Sequence, residues 1–210
     1  MQKYLNSIKL HGVVTDAGKI AINANDRECQ KFMISVNRLS GAKDILPVEV
    51  PLDKLTEPLK AGDEITVNGL IKVDVLYLDN EKSKLEIYVK ALRIAKEECE
   101  DCNEVILFGR VSKTPILRET PLGKVVCDTM LVTTYKTERP IPIIFWGGLA
   151  KIVSELHLRD HMRVFGRLQS REYTKETENG PETRVFYEVS ALKASTYPRN
   201  REKQNKTEIA

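Results

Sequence analysis

Between Arg159 and Lys175 every second residue has a side chain suited to a nucleic acid. Arg159, His161, Arg163, Phe165, Arg167, Gln169, Arg171, Tyr173 and Lys175 interleave cations with aromatic rings. Guanidinium groups neutralise phosphates, and a ring offers any base a stacking platform worth about 1 to 3 kcal/mol per base. Such a surface needs no sequence code. The intervening Met162, Val164, Gly166 and Leu168 are apolar or small, so the segment predicts a strand with one face in a core and the other basic and aromatic. Parity on the flanking segments turns Phe108, Arg110, Trp146, Arg184 and Phe186 to the same outer side. The candidate single-strand contacts are therefore Arg110, Arg118, Trp146, Arg163, Phe165, Arg167, Arg171, Tyr173, Lys175, Arg184 and Phe186. Outward rings and arginines also build oligomer interfaces, and Ile106 and Phe108 are the residues assigned to that alternative.

The elements that must position these residues emerge when the chain is slid against itself. An offset of 97 lays Asn6-Ser-Ile-Lys-Leu-His-Gly12 on Asn103-Glu-Val-Ile-Leu-Phe-Gly109, and Gly69 on Gly166. Val89 to Leu92 fall on Val189 to Leu192 at an offset of 100, so the second half has three more residues between its last two strands and a longer hairpin there. Each half reads as five strands of period two with one helical segment after the third. In the second half the strands are an opening one through Val105, Leu107, Gly109 and Val111, then about Val125 to Tyr135, then Ile141 to Trp146. After the helical face Leu149, Ile152, Val153 and Leu156, the fourth strand runs through Met162 to Leu168. The fifth has Val185, Tyr187, Val189 and Ala191 inward, after a turn at Asn179-Gly180-Pro181. That order is the OB fold. The predicted class is all-β: two tandem five-stranded OB barrels, each with a short helix between strands three and four. The division is 1–97 for the first barrel, 98–198 for the second and 199–210 for a flexible polar tail.

The two units differ in charge. At the positions aligned with Arg163, Phe165, Arg167 and Arg171, the first unit has Thr66, Asn68, Leu70 and Asp74, and Pro51 replaces Trp146. The first barrel is expected to be structural or subsidiary, and changing its Arg38 or Lys72 should barely matter.

Composition excludes several classes. The 210 residues carry 33 Lys and Arg against 30 Asp and Glu, a net charge of +3, so any basic surface is local. With 41% apolar residues and no apolar run of membrane-spanning length, no membrane partner is expected. Met1 to Lys9 lack the pattern of an export signal, which predicts a cytoplasmic chain, and the four cysteines then stay reduced. Cys99-x-x-Cys102 has no second ligand pair nearby, and His157-x-x-x-His161 lacks the Glu of a zinc hydrolase. No phosphate loop, dinucleotide fingerprint or nucleophile with a matching base is present, so the expectation is no enzyme, no cofactor and no metal.

The second half resembles the bacterial single-stranded DNA-binding protein family. The motifs are Asn103-x-Val-x-Leu-x-Gly-Arg-Val111, Pro115-Ile-Leu-Arg118-x-Thr120-Pro121-x-Gly123, Phe145-Trp146-Gly147-x-Leu149-Ala150 and Gly166-Arg-Leu-Gln-Ser-Arg-Glu-Tyr173. The first half is similar only in its opening strand, in Phe32 to Arg38 and in Ala61 to Gly69. The resemblance implies stacking roles for Trp146 and Tyr173, a single-stranded DNA partner, and a homodimer that assembles four barrels through its exposed first strands. Replication or repair proteins are implied as partners too. The acidic tip that recruits them in the family has no counterpart in Arg199 to Ala210. Two other readings stay open: an OB protein-interaction adaptor of primosomal type that touches DNA weakly, and an RNA-binding OB module, since stacking does not separate ribose from deoxyribose.

Overall fold

The computed structural model describes residues 5–23, 26–77, 83–133, 139–177 and 180–199; the side chains of 76, 77, 83, 84, 173 and 175–177 lie outside that description. The described residues form strands β1 (Leu5–Ile22), β2 (Glu28–Asn37), β3 (Lys43–Pro51), β4 (Glu64–Tyr77) and β5 (Ser83–Ala95). These are followed by β6 (Cys102–Glu119), β7 (Val125–Val132), β8 (Ile141–Trp146), helix α1 (Gly147–Ser154), β9 (His161–Thr177) and β10 (Gly180–Tyr197). Residues 96–101 join the two sets of five. No helix among the described residues is long and apolar enough to cross a membrane.

Period-two burial accounts for the strands. In β2, Phe32, Ile34 and Val36 are buried while Lys31, Met33 and Ser35 turn the other way, and in β9 Met162, Val164 and Leu168 are fully enclosed. β1 pairs antiparallel with β2 and β4, β2 with β3, and β4 with β5, while a parallel contact between β3 and β5 closes the ring. β6 to β10 repeat every one of these pairings, including the parallel β8–β10 contact. The longer final hairpin is present, with β9 and β10 paired out to Thr177 and Gly180.

Glycine is required where the first strand of each ring curls onto its neighbour. A Cβ on Gly109 would stand 2.2 Å from the Val132 carbonyl oxygen, and one on Gly12 would stand 2.2 Å from that of Ser35. Both contacts are impossible for any side chain, which is why the repeat keeps this residue.

Three expectations change. A helix follows the third strand only in the second ring; in the first, Leu52–Lys54 make a single 3-10 turn. That segment, Leu52 to Lys60, has Pro58 to interrupt it, whereas Leu149-Ala150-Lys151-Ile152-Val153 supplies uninterrupted helix formers. In α1 the core-facing residues are Ala150 and Val153, and Ile152 is exposed. In β10, Val185 is exposed because it lies on the hairpin that projects past the ring.

The first strands are covered by each other. β1 and β6 pair antiparallel from Leu5 opposite Phe108 to His11 opposite Cys102, with the repeat-equivalent residues Ile8 and Val105 directly opposed. All ten strands thereby belong to one sheet, and the buried residues of both rings form one cluster. The exposed edge from which the homodimer was inferred is used inside the chain.

Candidate nucleic-acid interface

Trp146 ends β8 on the outer side of the second ring, 39% exposed, and its indole N–H donates to Ser190 Oγ on β10 at 3.2 Å. That bond fixes the ring plane. Ile144 lies beside Ser190, and Val126 lies opposite Trp146. Both point outward by parity yet are buried, so an apolar floor adjoins the indole. Across β10, Ser190 faces Arg167, Glu188 faces Gln169, Phe186 faces Arg171 and Arg184 faces Tyr173. A trough therefore runs along β10 from Trp146 to Phe186. Four residues at about 3.3 Å each separate Ser190 from Phe186, room for two or three bases between the rings.

Its charges are organised in pairs. Arg118 holds Asp128 at 2.5 Å, and Arg171 Nε stands 3.8 Å from Glu188 Oε1. Glu188 is buried and accepts a hydrogen bond from Gln169 Nε2 at 2.9 Å. Burial pushes its carboxyl above the usual range, against the opposing pull of Gln169, Arg171 and Arg118, and Asp128 pushes it the same way as burial. Arg184 is tied to Glu182 at 2.6 Å. The surface presents guanidinium groups whose partners sit beneath or beside them.

The predicted strip of β9 divides in two. Arg167 and Arg171 belong to the trough beside Trp146. Arg163 and Phe165 instead pair across β6 with Phe108 and Ile106, above the seam with the first ring. Phe165 is 38% exposed, and the Arg163 guanidinium lies over the Phe108 ring at 5.9 Å. Arg110 is exposed opposite His161, and Arg118 and Phe186 border the trough. The side chains of Tyr173 and Lys175 lie outside the described residues.

Phe108 is a correction. It was expected to face outward as a possible oligomer contact, and it is 4% exposed, packed against His161, Tyr197 and Arg163 of its own chain. Ile106 is half-buried, opposite Ser7 in the seam. Parity gave the correct side of the strand, but a second ring docked on β6 and the end of β10 together enclose that side. Sequence reasoning also missed Glu188, Asp128 and Ser190. Their outward parity was available in the alternation of β7 and β10, and only the assumption that binding residues are cationic or aromatic hid them.

Residues 102–196, nearly the whole second ring, match the sequence model of the Single-strand binding protein family. The resemblance read from the motifs is thereby confirmed for that half. Among known proteins, the chain is 31% identical over 151 residues to the single-stranded DNA-binding protein of Thermus aquaticus, covering 60% of this chain and 57% of that protein. It is 25% identical over 146 residues to that of Deinococcus radiodurans, covering 58% and 48%. This chain spans about half the length of these relatives. The crystal structure of the wild-type Thermus aquaticus single-stranded DNA-binding protein matches 95% of this chain and 96% of its own with a TM-score of 0.75 at 24% identity, a likeness of fold that takes in both rings.

Proposed function

We propose that the chain binds single-stranded DNA in a sequence-tolerant way, through base stacking and arginine–phosphate contacts on its second barrel. The observation that carries this reading is the half-exposed Trp146, locked by Ser190 at the head of a trough lined by Arg118, Arg167, Arg171 and Phe186. Arg184 continues it along β10, Arg110, Arg163 and Phe165 lie toward the seam, and Tyr173 and Lys175 are added on the sequence pattern alone. The biological setting in this reading is cytoplasmic: strands held unpaired during replication, recombination or repair, with the first barrel (1–97) chiefly structural, the second (98–198) carrying the DNA and 199–210 a tail. No chemical step is assigned to the protein.

The assembly we favour is a homodimer of four barrels. Because β1 and β6 cover each other, a second copy cannot use that pair of edges. Sedimentation equilibrium returning twice the chain mass supports it, and the mass of one chain refutes it.

The test of binding uses the single tryptophan. Titration with oligo-dT should quench Trp146, the quenching should weaken with salt, and duplex DNA should not compete. With about four phosphates neutralised, the logarithmic salt slope is about −3, from about −0.7 per phosphate on a single strand. No quenching together with no binding by anisotropy removes this reading in favour of a protein adaptor. Equal affinity for the matching RNA removes the restriction to DNA.

A further inference from the structure

The hairpin joining β2 and β3 of the first barrel lies on β9 of the second. Asp44, 1% exposed, is gripped by Arg38 through Nε at 2.7 Å and through Nη2. Asp44 also accepts the Ser170 backbone N–H at 3.0 Å, while Ser170 Oγ accepts that of Ile45 at 3.2 Å. Arg167 stands three residues before Ser170, half-buried, with Arg38 close enough to act on it. Burial foremost, and then the Arg38 charge, draws its guanidinium below the ordinary arginine range, with Asp44 acting the other way. The Arg167 Nε is buried without a hydrogen-bond partner among the described residues.

Asp44 thus pairs with one guanidinium, that of Arg38, and with the Ser170 N–H, while Arg167 feels the carboxylate only at longer range. A buried donor left unpaired beside a like charge is unfavourable, and an anion relieves both conditions. A planar guanidinium matches phosphate oxygens better than any other side chain does. The place is also the right one: Arg167 is opposite Ser190, which holds the Trp146 indole.

We propose that Arg167 and Arg38 form a phosphate site at the junction of the two barrels, filled by the phosphodiester next to the base stacked on Trp146. A bound strand then leaves the second barrel toward the first. The identity of the phosphate as DNA backbone rests on the single-strand reading above; the anion site itself does not. The repeat supplies an internal contrast. At the equivalent junction Leu70 stands where Arg167 does, and Arg139 stands where Asp44 does, so the guanidinium pair is not reproduced.

The experiment follows the arginine Nε–H signals of the full chain by nuclear magnetic resonance, assigned with Arg167→Gln and Arg38→Lys. Oligo-dT should move both signals with the midpoint of Trp146 quenching, and inorganic phosphate should move both at much higher concentration. Quenching while the Arg38 signal stays still overturns the proposal. If oligo-dT does not bind at all, the single-strand reading fails by itself and the phosphate arm decides: both signals moving keeps the site with free phosphate as its source, and neither moving overturns it. Arg167→Gln should also weaken oligo-dT binding about tenfold and flatten the salt slope by about 0.7. An unchanged slope overturns the bridging phosphate.

Discussion

The outer faces of the two barrels share one backbone register and hold opposed side chains. Met33 opposes Pro47 as Met130 opposes Pro142, and Lys31 opposes Glu49 as Asp128 opposes Ile144. Around this shared frame Trp146 becomes Pro51, Ile144 becomes Glu49, Arg171 becomes Asp74, Phe186 becomes Glu86, and Arg118 becomes Ala21. Where the second barrel holds Glu188, the first holds Tyr88, whose hydroxyl donates to Asp74 at 2.9 Å. Burial and that bond raise the phenol well above its ordinary range, so it stays a neutral donor. An identical strand framework thus carries rings and guanidinium groups on one side of the molecule and carboxylates on the other. Strand framework and surface chemistry are separable here, because the core faces of the strands are alike while the outward parity has changed.

The most severe way to break the contrast is Arg167→Glu with Arg171→Glu, which gives the second barrel the acidic face of the first. Oligo-dT affinity by anisotropy should fall beyond measurement, and a modest loss would refute the placement of the site. Trp146→Ala removes one stacking platform, about 1 to 3 kcal/mol or about five- to 150-fold in affinity. The converse exchange, Asp74→Arg with Glu86→Phe, should give the first barrel a phosphate contact and steepen the salt slope by about 0.7, read from the same titrations. Smaller still is the effect of pH. Glu188 titrates above the ordinary carboxylate range, so as pH falls through its raised value the trough loses a negative charge and affinity should rise a few fold. The folded state gains stability in the same direction, because it binds the proton more tightly than the unfolded chain does. Glu188→Gln should abolish both pH dependences, and a binding curve that stays pH-dependent in that variant counts against the assignment. Lys72→Gln should change oligo-dT affinity least, by no more than about fivefold, since a single surface charge contributes about 0 to 1 kcal/mol.

Much of this was legible in the residues. The offsets of 97 and 100 reappear as strand register, and Trp146 lies on the outer side that parity gave it. What escaped was nonlocal. The sequence around Arg38 does not show that its partner Asp44 reaches Ser170, 126 positions away. Phe108 looked exposed because alternation reports the side of a strand and not what docks on that side. The missing helix of the first barrel was concealed by the repeat itself, which encourages reading Leu52 to Lys60 like its partner despite Pro58.

The seam of β1 with β6 has a further meaning for concentration. The six residues 96–101 tether the two barrels, so their docking is a unimolecular event at an effective local concentration of about millimolar or more. A pair of separate barrels would come apart on dilution, and this pair does not. Limited proteolysis between Lys96 and Glu104 would convert it into the separable kind, and the nicked protein alone should show a barrel–barrel contact that depends on how much of it is present.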